Sequence, residues 1–393
     1  MWLAALLAIL GTGTDSSPSG WWMAGLDLAG GQLRFAIAIE KAKAGFSGRL
    51  CNGSDCQPLS RVEVRGDSVV FEMGDYAATI SATLRGDSLI GSYRNVGSRG
   101  PRVIPFRAAK GRWPAGPAGD SLLGRWDATF IQDWQTSPRV FVLRNGKAGL
   151  EGTIISNSGD YGLFWGQVSA DSFALSHFDG SFVYLLTGRL RGDTLRGTFH
   201  AGLRTQTPWI AVRSTGAPHL TPPSQVIAAD TAAPFRFSFP DVNGVTLDQS
   251  DPRFAGKVLV VDIFGTWCPT CHDAAPTLVQ LYRDYHPKGL EMVGLAYEVS
   301  GDPATDGKLV GRYQEKFGIP FPLLLAGTND PDAAAASQPQ LKGPIAFPTT
   351  LFLGRDGRVR LVHAGFYGPA TGAQHDRLVT EFREEIERLL KEK

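Results

Sequence analysis

The feature that most constrains the fold is a short apolar run that ends at a pair of cysteines. Residues Val258 to Phe264 are almost entirely apolar, and Gly-Thr-Trp leads from them into Cys268 and Cys271. This pattern predicts a buried strand that delivers a Cys-x-x-Cys pair to the N-terminus of a helix. Two thiols at this spacing can form a disulfide, and the helix end favours the thiolate form of the first. The stretch therefore predicts thiol–disulfide exchange.

Chain length and charge narrow the remaining possibilities. A chain of 393 residues is long enough for two or three domains with separate cores. Its 39 basic and 38 acidic residues nearly cancel, and no basic tract interrupts that balance. Nucleic acid is therefore not expected as a partner.

The N-terminus carries an apolar run from Trp2 to Leu10, followed by small and polar residues. A membrane-spanning helix needs roughly 20 apolar residues, so the run is too short to cross a bilayer. It predicts a signal peptide over residues 1–18, and hence export to the periplasm or cell envelope.

Two β-rich units follow, over residues 19–110 and 120–214. Both show period-two alternation interrupted by Gly-Asp turns, which is typical of antiparallel strands. TLRGDSLIGSY at 83–93 also matches RLRGDTLRGTF at 189–199, which indicates an internal duplication. The units could form two sandwiches or barrels, or one larger β structure.

A proline-rich linker, residues 215–232, separates the β region from residues 233–393. The last part alternates strands and helices, in the order β-α-β and then β-β-α. It includes a helix expected around Lys308 to Phe317, an Ala/Pro-rich insertion from Thr328 to Ile345 and a final helix from about His375 to Lys391.

Residues 233–393 resemble the thioredoxin superfamily and, within it, the TlpA-like extracytoplasmic thiol–disulfide oxidoreductases. The resemblance rests on two blocks, GKVLVVDIFGTWCPTC at 256–271 and FPTTLFLGRDGRV at 347–359. It implies a multidomain chain: an all-β antiparallel N-terminal region built from a duplicated unit, then an α/β thioredoxin-like domain. It also implies protein thiols and disulfides as substrates, reduction as the direction and no cofactor or metal. A membrane electron donor of the DsbD type would restore the dithiol, and the β repeats would be free to bind an unknown partner.

The resemblance assigns roles to the residues of the first block. Cys268 is the attacking thiolate, and Cys271 is the resolving thiol that closes the disulfide. Pro269 and Thr270, between them, tune the redox potential. Trp267 shields the thiols and contacts substrate, although plain packing would also explain a tryptophan there.

Three further positions are expected close to the disulfide. Pro348 occupies the place of the superfamily's cis-proline, where Phe347 and Thr349 would offer backbone groups to an incoming peptide; an ordinary proline at a strand entry is the alternative.

Two acidic residues are also candidates. Asp262 matches the buried acid of thioredoxins and would relay the proton that Cys271 must lose, unless it is a structural carboxylate. Glu298, at the end of the next strand, matches an acidic position near the disulfide in some TlpA-like proteins.

Other interpretations of the cysteine motif are weaker. Cys268 to His272 also spells the Cys-x-x-Cys-His motif for haem c attachment, but it follows a hydrophobic strand and has the Pro348 block downstream. A peroxiredoxin would need Pro and Thr where Val261 and Gly265 stand. From another class, the chain could be an envelope binding protein whose β repeats recognise one partner served by the redox domain.

Several motifs outside the C-terminal part have structural interpretations. Cys51 and Cys56 flank an Asn-Gly turn and are predicted to form a structural disulfide, with free thiols or a metal site as alternatives. Three Arg-Gly-Asp triplets fit hairpin turns better than adhesion sites. His177 and Asp179, in LSHFDG, are expected to be structural because the local sequence has no nucleophile.

Overall fold

The computed structural model describes residues 17–97, 100–116, 119–132, 135–147, 149–217, 219–343 and 345–392. Residues 1–16, which make up most of the predicted signal peptide, lie outside this set. Within the described ranges, none of the helices combines the length and apolarity needed to cross a bilayer.

The first repeat unit folds into a closed antiparallel barrel. Its strands alternate buried and exposed side chains, as in Ala78–Arg85, because successive residues of a strand face opposite sides of the sheet. The strands are β1 Gly20–Leu28, β2 Gly31–Lys41, β3 Phe46–Asn52, β4 Asp55–Pro58, β5 Arg61–Arg65, β6 Ser68–Met73, β7 Ala78–Arg85, β8 Ser88–Gly97 and β9 Gly100–Lys110.

Closure of this first barrel depends on one long-range pairing. The described strands are ordered β2-β1-β9-β8-β7-β6-β5-β3-β4, and an additional pairing of β2 with β3 joins the two sides of the sheet. Strand β4 remains outside the ring, paired with β3 as a hairpin. Closure removes the free edges that would otherwise be open to aggregation.

The second repeat unit forms a second barrel of the same topology. Its strands are β10 Gly124–Gln132, β11 Gln135–Gly146, β12 Gly149–Ser156, β13 Gly159–Asp160, β14 Phe164–Ser169, β15 Ser172–Phe178, β16 Val183–Arg191, β17 Thr194–Ala201 and β18 Thr205–Arg213. The described order, β11-β10-β18-β17-β16-β15-β14-β12-β13, closes through β11 and β12 and repeats the first barrel position by position. The two matching sequence segments form the equivalent hairpins β7–β8 and β16–β17.

The two barrels share part of one core. Phe178, Val183 and Leu185, from the β15–β16 hairpin of the second barrel, are buried in the hydrophobic cluster of the first. Asn52 of the first barrel donates to the Phe178 carbonyl at 2.7 Å and accepts from the Phe178 N–H at 2.9 Å. The hairpin therefore closes one end of the first barrel and joins the two units.

The C-terminal part forms an α/β domain around a five-stranded sheet. Its elements are α1 Pro223–Val226, β19 Ala228–Ala229, β20 Ser238–Pro240, β21 Thr246–Asp248, β22 Val258–Phe264, α2 Pro269–Tyr285, β23 Leu290–Glu298, α3 Pro303–Phe317, β24 Leu323–Thr328, α4 Pro331–Ser337, β25 Leu341–Lys342, β26 Thr349–Leu353, β27 Val359–Ala364 and α5 Ala373–Lys391. The described strands of the main sheet run in the order β24-β23-β22-β26-β27. β22, β23 and β24 are parallel, whereas β26 and β27 are antiparallel to their neighbours.

This arrangement confirms the predicted fold class: two antiparallel β-barrels precede an α/β thioredoxin-like domain. Helix α3 begins earlier than the sequence predicted, because Asp302 caps it by accepting a hydrogen bond from the Thr305 N–H at 2.9 Å. The segment expected to be an insertion, Thr328 to Ile345, contains the short helix α4.

Candidate functional site

The cysteine pair lies where strand β22, buried along its whole length, passes into helix α2. Cys268 is the N-cap of the helix, and its Sγ accepts a hydrogen bond from the Cys271 N–H at 3.4 Å. Both cysteines are free thiols in this structure. Because the first N–H groups of a helix have no intrahelical acceptor, Sγ supplies one for the Cys271 N–H.

The second cysteine is in a different environment. Cys271 lies in the first turn of α2, and burial together with the neighbouring Cys268 raises the pKa of its thiol well above the usual value. Its carbonyl accepts a hydrogen bond from the Tyr313 hydroxyl at 2.8 Å. The two thiols therefore differ: Cys268 Sγ accepts a hydrogen bond at the helix N-terminus, whereas burial raises the pKa of Cys271.

The Pro348 block lies beside the thiols. The peptide bond between Phe347 and Pro348 is cis, and the Cys268 thiol donates to the Phe347 carbonyl at 3.5 Å. The Trp267 ring packs edge-on against Phe347, with centroids 5.3 Å apart, and its Nε1–H donates to the Tyr297 carbonyl at 2.8 Å. Thr349 begins β26 and donates its hydroxyl to the Ala346 carbonyl.

Asp262 lies under the cysteines in the middle of β22. Burial raises the pKa of its carboxyl to about 7. Among the described residues, its buried Oδ1 has no hydrogen-bond partner. The proximity of Asp262 also contributes to the raised pKa of Cys271. A carboxyl whose pKa is about 7, beside a thiol that must lose a proton, can accept the proton of that thiol.

Glu298 contacts the loop before the cysteines rather than the thiols. Its carboxylate accepts from the Thr266 N–H at 2.8 Å and from the Thr266 hydroxyl at 2.7 Å. Burial raises the pKa of Glu298 to about 7, although the two Thr266 hydrogen bonds oppose the shift. This arrangement fits a positioning residue that fixes the loop leading into Cys268.

The similarity of this chain to known proteins points to the same chemistry, thiol–disulfide exchange. Residues 228–373 match the Redoxin family model. Thiol-disulfide oxidoreductase ResA of Geobacillus kaustophilus is 31% identical over 139 residues, which are 35% of this chain and 71% of that protein. The ResA proteins of Geobacillus thermodenitrificans and Halalkalibacterium halodurans are 30% and 26% identical, over 35% and 38% of this chain and 71% and 73% of their own lengths. The chain belongs to the TlpA-like redoxins of the thioredoxin superfamily. It is a thiol–disulfide oxidoreductase, and the family match begins after both barrels.

The second barrel contacts the redoxin domain at the cysteine motif itself, which the sequence did not reveal. The Thr270 hydroxyl donates to the Asp160 carbonyl at 3.0 Å. The Asp160 carboxylate accepts from the Gly368 N–H at 2.6 Å. The Ser181 hydroxyl donates to the Trp267 carbonyl at 3.1 Å. Asp160 ends the two-residue strand β13, and Ser181 lies in the loop between β15 and β16. Neither segment has a periodic pattern that would mark these residues in advance.

The first barrel contacts the same region through His272. The His272 ring stacks on Tyr76 with centroids 4.4 Å apart. Burial lowers the pKa of His272 to about 4, so the ring is neutral near pH 7. With Nε2–H donating to the Thr266 carbonyl at 2.7 Å, Nδ1 is left to accept from the Lys316 ammonium at 3.3 Å. These contacts engage both ring nitrogens, which disfavours the haem interpretation.

Asp75 completes this contact between the first barrel and the redoxin domain. Its carboxylate forms an ion pair with Lys316 of α3. Burial by itself would raise the pKa of Asp75, but the nearby His272 and Lys316 outweigh that effect and lower it. The pair therefore joins a buried carboxylate of the barrel to a half-buried ammonium of the redoxin domain.

A cavity of about 330 Å³ lies between the barrels and the start of α2. His177 and Asp179 line it, with Nε2 and Oδ2 3.3 Å apart, and Pro269 and Thr270 form part of the facing wall. The pair is thus distant from the cysteine motif in sequence but shares a cavity with it. Spacing along the chain could not show this.

The other cysteine pair forms a disulfide at the β3–β4 hairpin. Cys51 and Cys56 are bonded, with their Cα atoms 4.1 Å apart. Asp55 and Gln57, on either side of Cys56, line the cavity described above. Within the described part of the chain, no cluster of three or more His, Cys, Asp or Glu residues is arranged to hold a metal ion.

Proposed function

We propose that this protein is an exported thiol–disulfide oxidoreductase that reduces disulfides of protein substrates through Cys268 and Cys271. The observation that carries the proposal is the asymmetry of the pair. Cys268 caps a helix beside the cis-Pro348 block, whereas the pKa of Cys271 is raised by burial. The reducing direction, the location outside the cytoplasm and a membrane donor of the DsbD type belong to the same proposal.

The reaction consists of two exchanges in sequence. The Cys268 thiolate attacks one sulfur of the client disulfide, forms a mixed disulfide and releases the other client sulfur as a thiolate. Cys271 then loses its proton, with Asp262 as the acceptor, and attacks the Cys268 sulfur. This step forms the Cys268–Cys271 disulfide and releases the second client thiol. Two electrons pass to the client, and the donor must return two electrons to the pair.

The surrounding residues support these steps. Glu298 holds the loop that ends at Cys268, and Trp267 and Phe347 form an aromatic wall beside the sulfur. Pro269 and Thr270 lie in the first turn of α2, between the thiols. We propose that these two residues and Thr349 tune the potential and client binding.

Two variants test the mechanism. Cys268→Ser should abolish insulin disulfide reduction. Cys271→Ser should accumulate mixed disulfides, because the resolving thiol is missing. The paired variant Cys51→Ala/Cys56→Ala is the matched control, since it removes the other two cysteines and should retain turnover. Turnover by Cys268→Ser at the normal rate would refute the proposal.

The trapped species also test how general the enzyme is. Many captured clients would support a general reductase. A single client would favour the binding-protein alternative, in which the β repeats serve one partner. Export is tested separately, by fractionating cells that express the full chain and sequencing the mature N-terminus.

A further inference from the structure

The attacking cysteine is covered in this structure. Only 3% of Cys268 is exposed. Exchange requires a client sulfur to reach Sγ directly, because the new bond forms as the client disulfide breaks. A disulfide on the surface of a folded protein also brings bulky neighbouring groups, which need open space around Cys268.

A turn of the second barrel lies against the redoxin domain beside the cysteine motif. The Asp160 N–H donates to the Phe366 carbonyl at 3.2 Å, so the two backbones pair directly. At this contact glycine faces glycine: a Cβ added to Gly365 would lie 2.4 Å from the Ser158 carbonyl carbon, and one added to Gly159 would lie 2.6 Å from the Phe366 oxygen. The surfaces approach so closely that no client segment fits between them.

Two other contacts hold the barrels beside the cysteine motif. The Ser181 hydroxyl holds the β15–β16 hairpin to the Trp267 backbone, one residue before Cys268. On the side of His272, the first barrel contributes Tyr76 and the Asp75–Lys316 pair. Both barrels therefore touch residues within four positions of Cys268.

We propose that the barrels determine which disulfides reach Cys268. While they are docked, they exclude disulfides carried on folded proteins, and turnover of such clients requires the barrels to separate from the redoxin domain. Low-molecular-weight disulfides need only a local displacement and are reduced at a similar rate in either arrangement. This inference rests on the proposed function. Separation also has to break the contacts of the linker with the second barrel, such as the hydrogen bond from the Thr221 N–H to Asn157 at 3.0 Å.

The docking contacts are suited to reversible release. They are mostly polar: Asp160 makes three hydrogen bonds to the redoxin domain and Ser181 makes one. The Asp75–Lys316 ion pair adds to them, and its Lys316 side chain is 32% exposed. Partly solvated pairs and single hydrogen bonds contribute modestly to association. Removing two of them should therefore shift the balance towards the open arrangement without unfolding either part.

The test compares a loosened protein with a matched control. Asp75→Asn/Ser181→Ala removes one contact from each barrel. Asp27→Asn/Ser172→Ala makes the same chemical changes at barrel positions whose partners, Arg107 and the Ser169 carbonyl, belong to the same barrel. Lys316→Gln is a second, independent loosening variant, made from the redoxin side.

Two readouts are needed. In a Cys271→Ser background Cys268 is the remaining free thiol, so its rate of alkylation by a bulky maleimide carried on a polyethylene glycol chain reports its accessibility to groups of protein size. With both cysteines present, turnover is measured with insulin and with glutathione disulfide. Loosening should raise the alkylation rate and insulin turnover about tenfold, equivalent to about 1.4 kcal/mol, and change glutathione disulfide turnover less than twofold. The control should match the unmodified protein.

The outcomes separate the two proposals. If alkylation and the insulin-to-glutathione ratio stay unchanged in both loosened variants, with melting curves showing that they are folded, the barrels do not control access. If Cys268 is alkylated faster in the loosened variants, but neither they nor the unmodified protein turns over insulin or glutathione disulfide, the barrels do restrict access to Cys268 and the proposed function is wrong. If insulin and glutathione disulfide turnover rise equally, the barrels obstruct Cys268 without selecting among clients, and the inference is wrong.

Discussion

The buried carboxyl of Asp262 gives a stability prediction whose sign and size follow from the structure. Burial raises its pKa from 3.8 to about 7. The folded protein therefore keeps a proton that the unfolded chain releases between about pH 4 and pH 7, and the free energy of unfolding falls as the pH rises through that window. At about 1.4 kcal/mol per pKa unit, roughly 4 kcal/mol is lost by pH 8.

The variant Asp262→Asn removes the ionisation but keeps the size of the side chain. We expect its free energy of unfolding to exceed that of the unmodified protein by about 2–4 kcal/mol at pH 8 and to equal it at pH 4. Denaturant unfolding followed by helical circular dichroism, with Cys268 and Cys271 oxidised so that neither thiol titrates, measures the difference. Destabilisation that is greater at pH 8 than at pH 4 would refute the reasoning, because it would show a partner stabilising the carboxylate.

Asp262→Asn should also slow the second exchange step, although it stabilises the folded protein. Without a proton acceptor at Asp262, release of client from the Cys268 mixed disulfide should slow by about 10²-fold, at the lower end of what a positioned acid or base supplies. Single-turnover kinetics isolate this step. Unchanged release would leave Asp262 without a part in proton transfer.

Three further predictions concern the loop before the cysteines, the joint between the barrels and the disulfide. Glu298→Ala should lower insulin turnover about tenfold because the loop loses two hydrogen bonds. Glu298→Gln should restore it, because its Oε1 can accept from the Thr266 N–H and its Nε2–H can donate to the Thr266 hydroxyl; equal loss in both variants would point to the charge. Asn52→Ala should lower the free energy of unfolding of the barrels by about 2–4 kcal/mol, since it leaves buried backbone groups of Phe178 unpaired; a loss below about 0.5 kcal/mol would contradict this. Replacing Cys51 and Cys56 by Ala should cost about 2 kcal/mol, as expected for so short a loop, in non-reducing denaturant unfolding; an unchanged midpoint would contradict it.

The sequence was sufficient to predict the parts of the fold that depend on residues close together in the chain. An apolar run followed by two cysteines specifies a strand, a turn and a helix start within a few residues, so the path from β22 to α2 could be predicted. The duplication was also visible, because equivalent hairpins in the two barrels keep similar turns. Helix α3 was predicted too short because Asp302 and Pro303, which set its start, precede the apolar positions that were used to find it.

The closure of the two barrels and their docking onto the redoxin domain could not be predicted in the same way. The β2–β3 and β11–β12 pairings join strands whose sequences look like those of any antiparallel sheet. Asp160, in the two-residue strand β13, and Ser181, in the loop between β15 and β16, each make one hydrogen bond to residues 267–270. Such contacts depend on how whole domains meet, and hydrogen bonds between isolated polar residues leave no periodic pattern in the sequence.

The shared core of the barrels has a consequence for how the duplicated region can be inherited. Phe178, Val183 and Leu185 of the second unit fill the core of the first. Loss of the second unit would leave the first with an open, water-exposed interior. Because one copy is a structural part of the other, we expect the number of repeats not to vary as it does in arrays of independent modules. The pair is expected to be gained, lost or fused to other domains only as a whole.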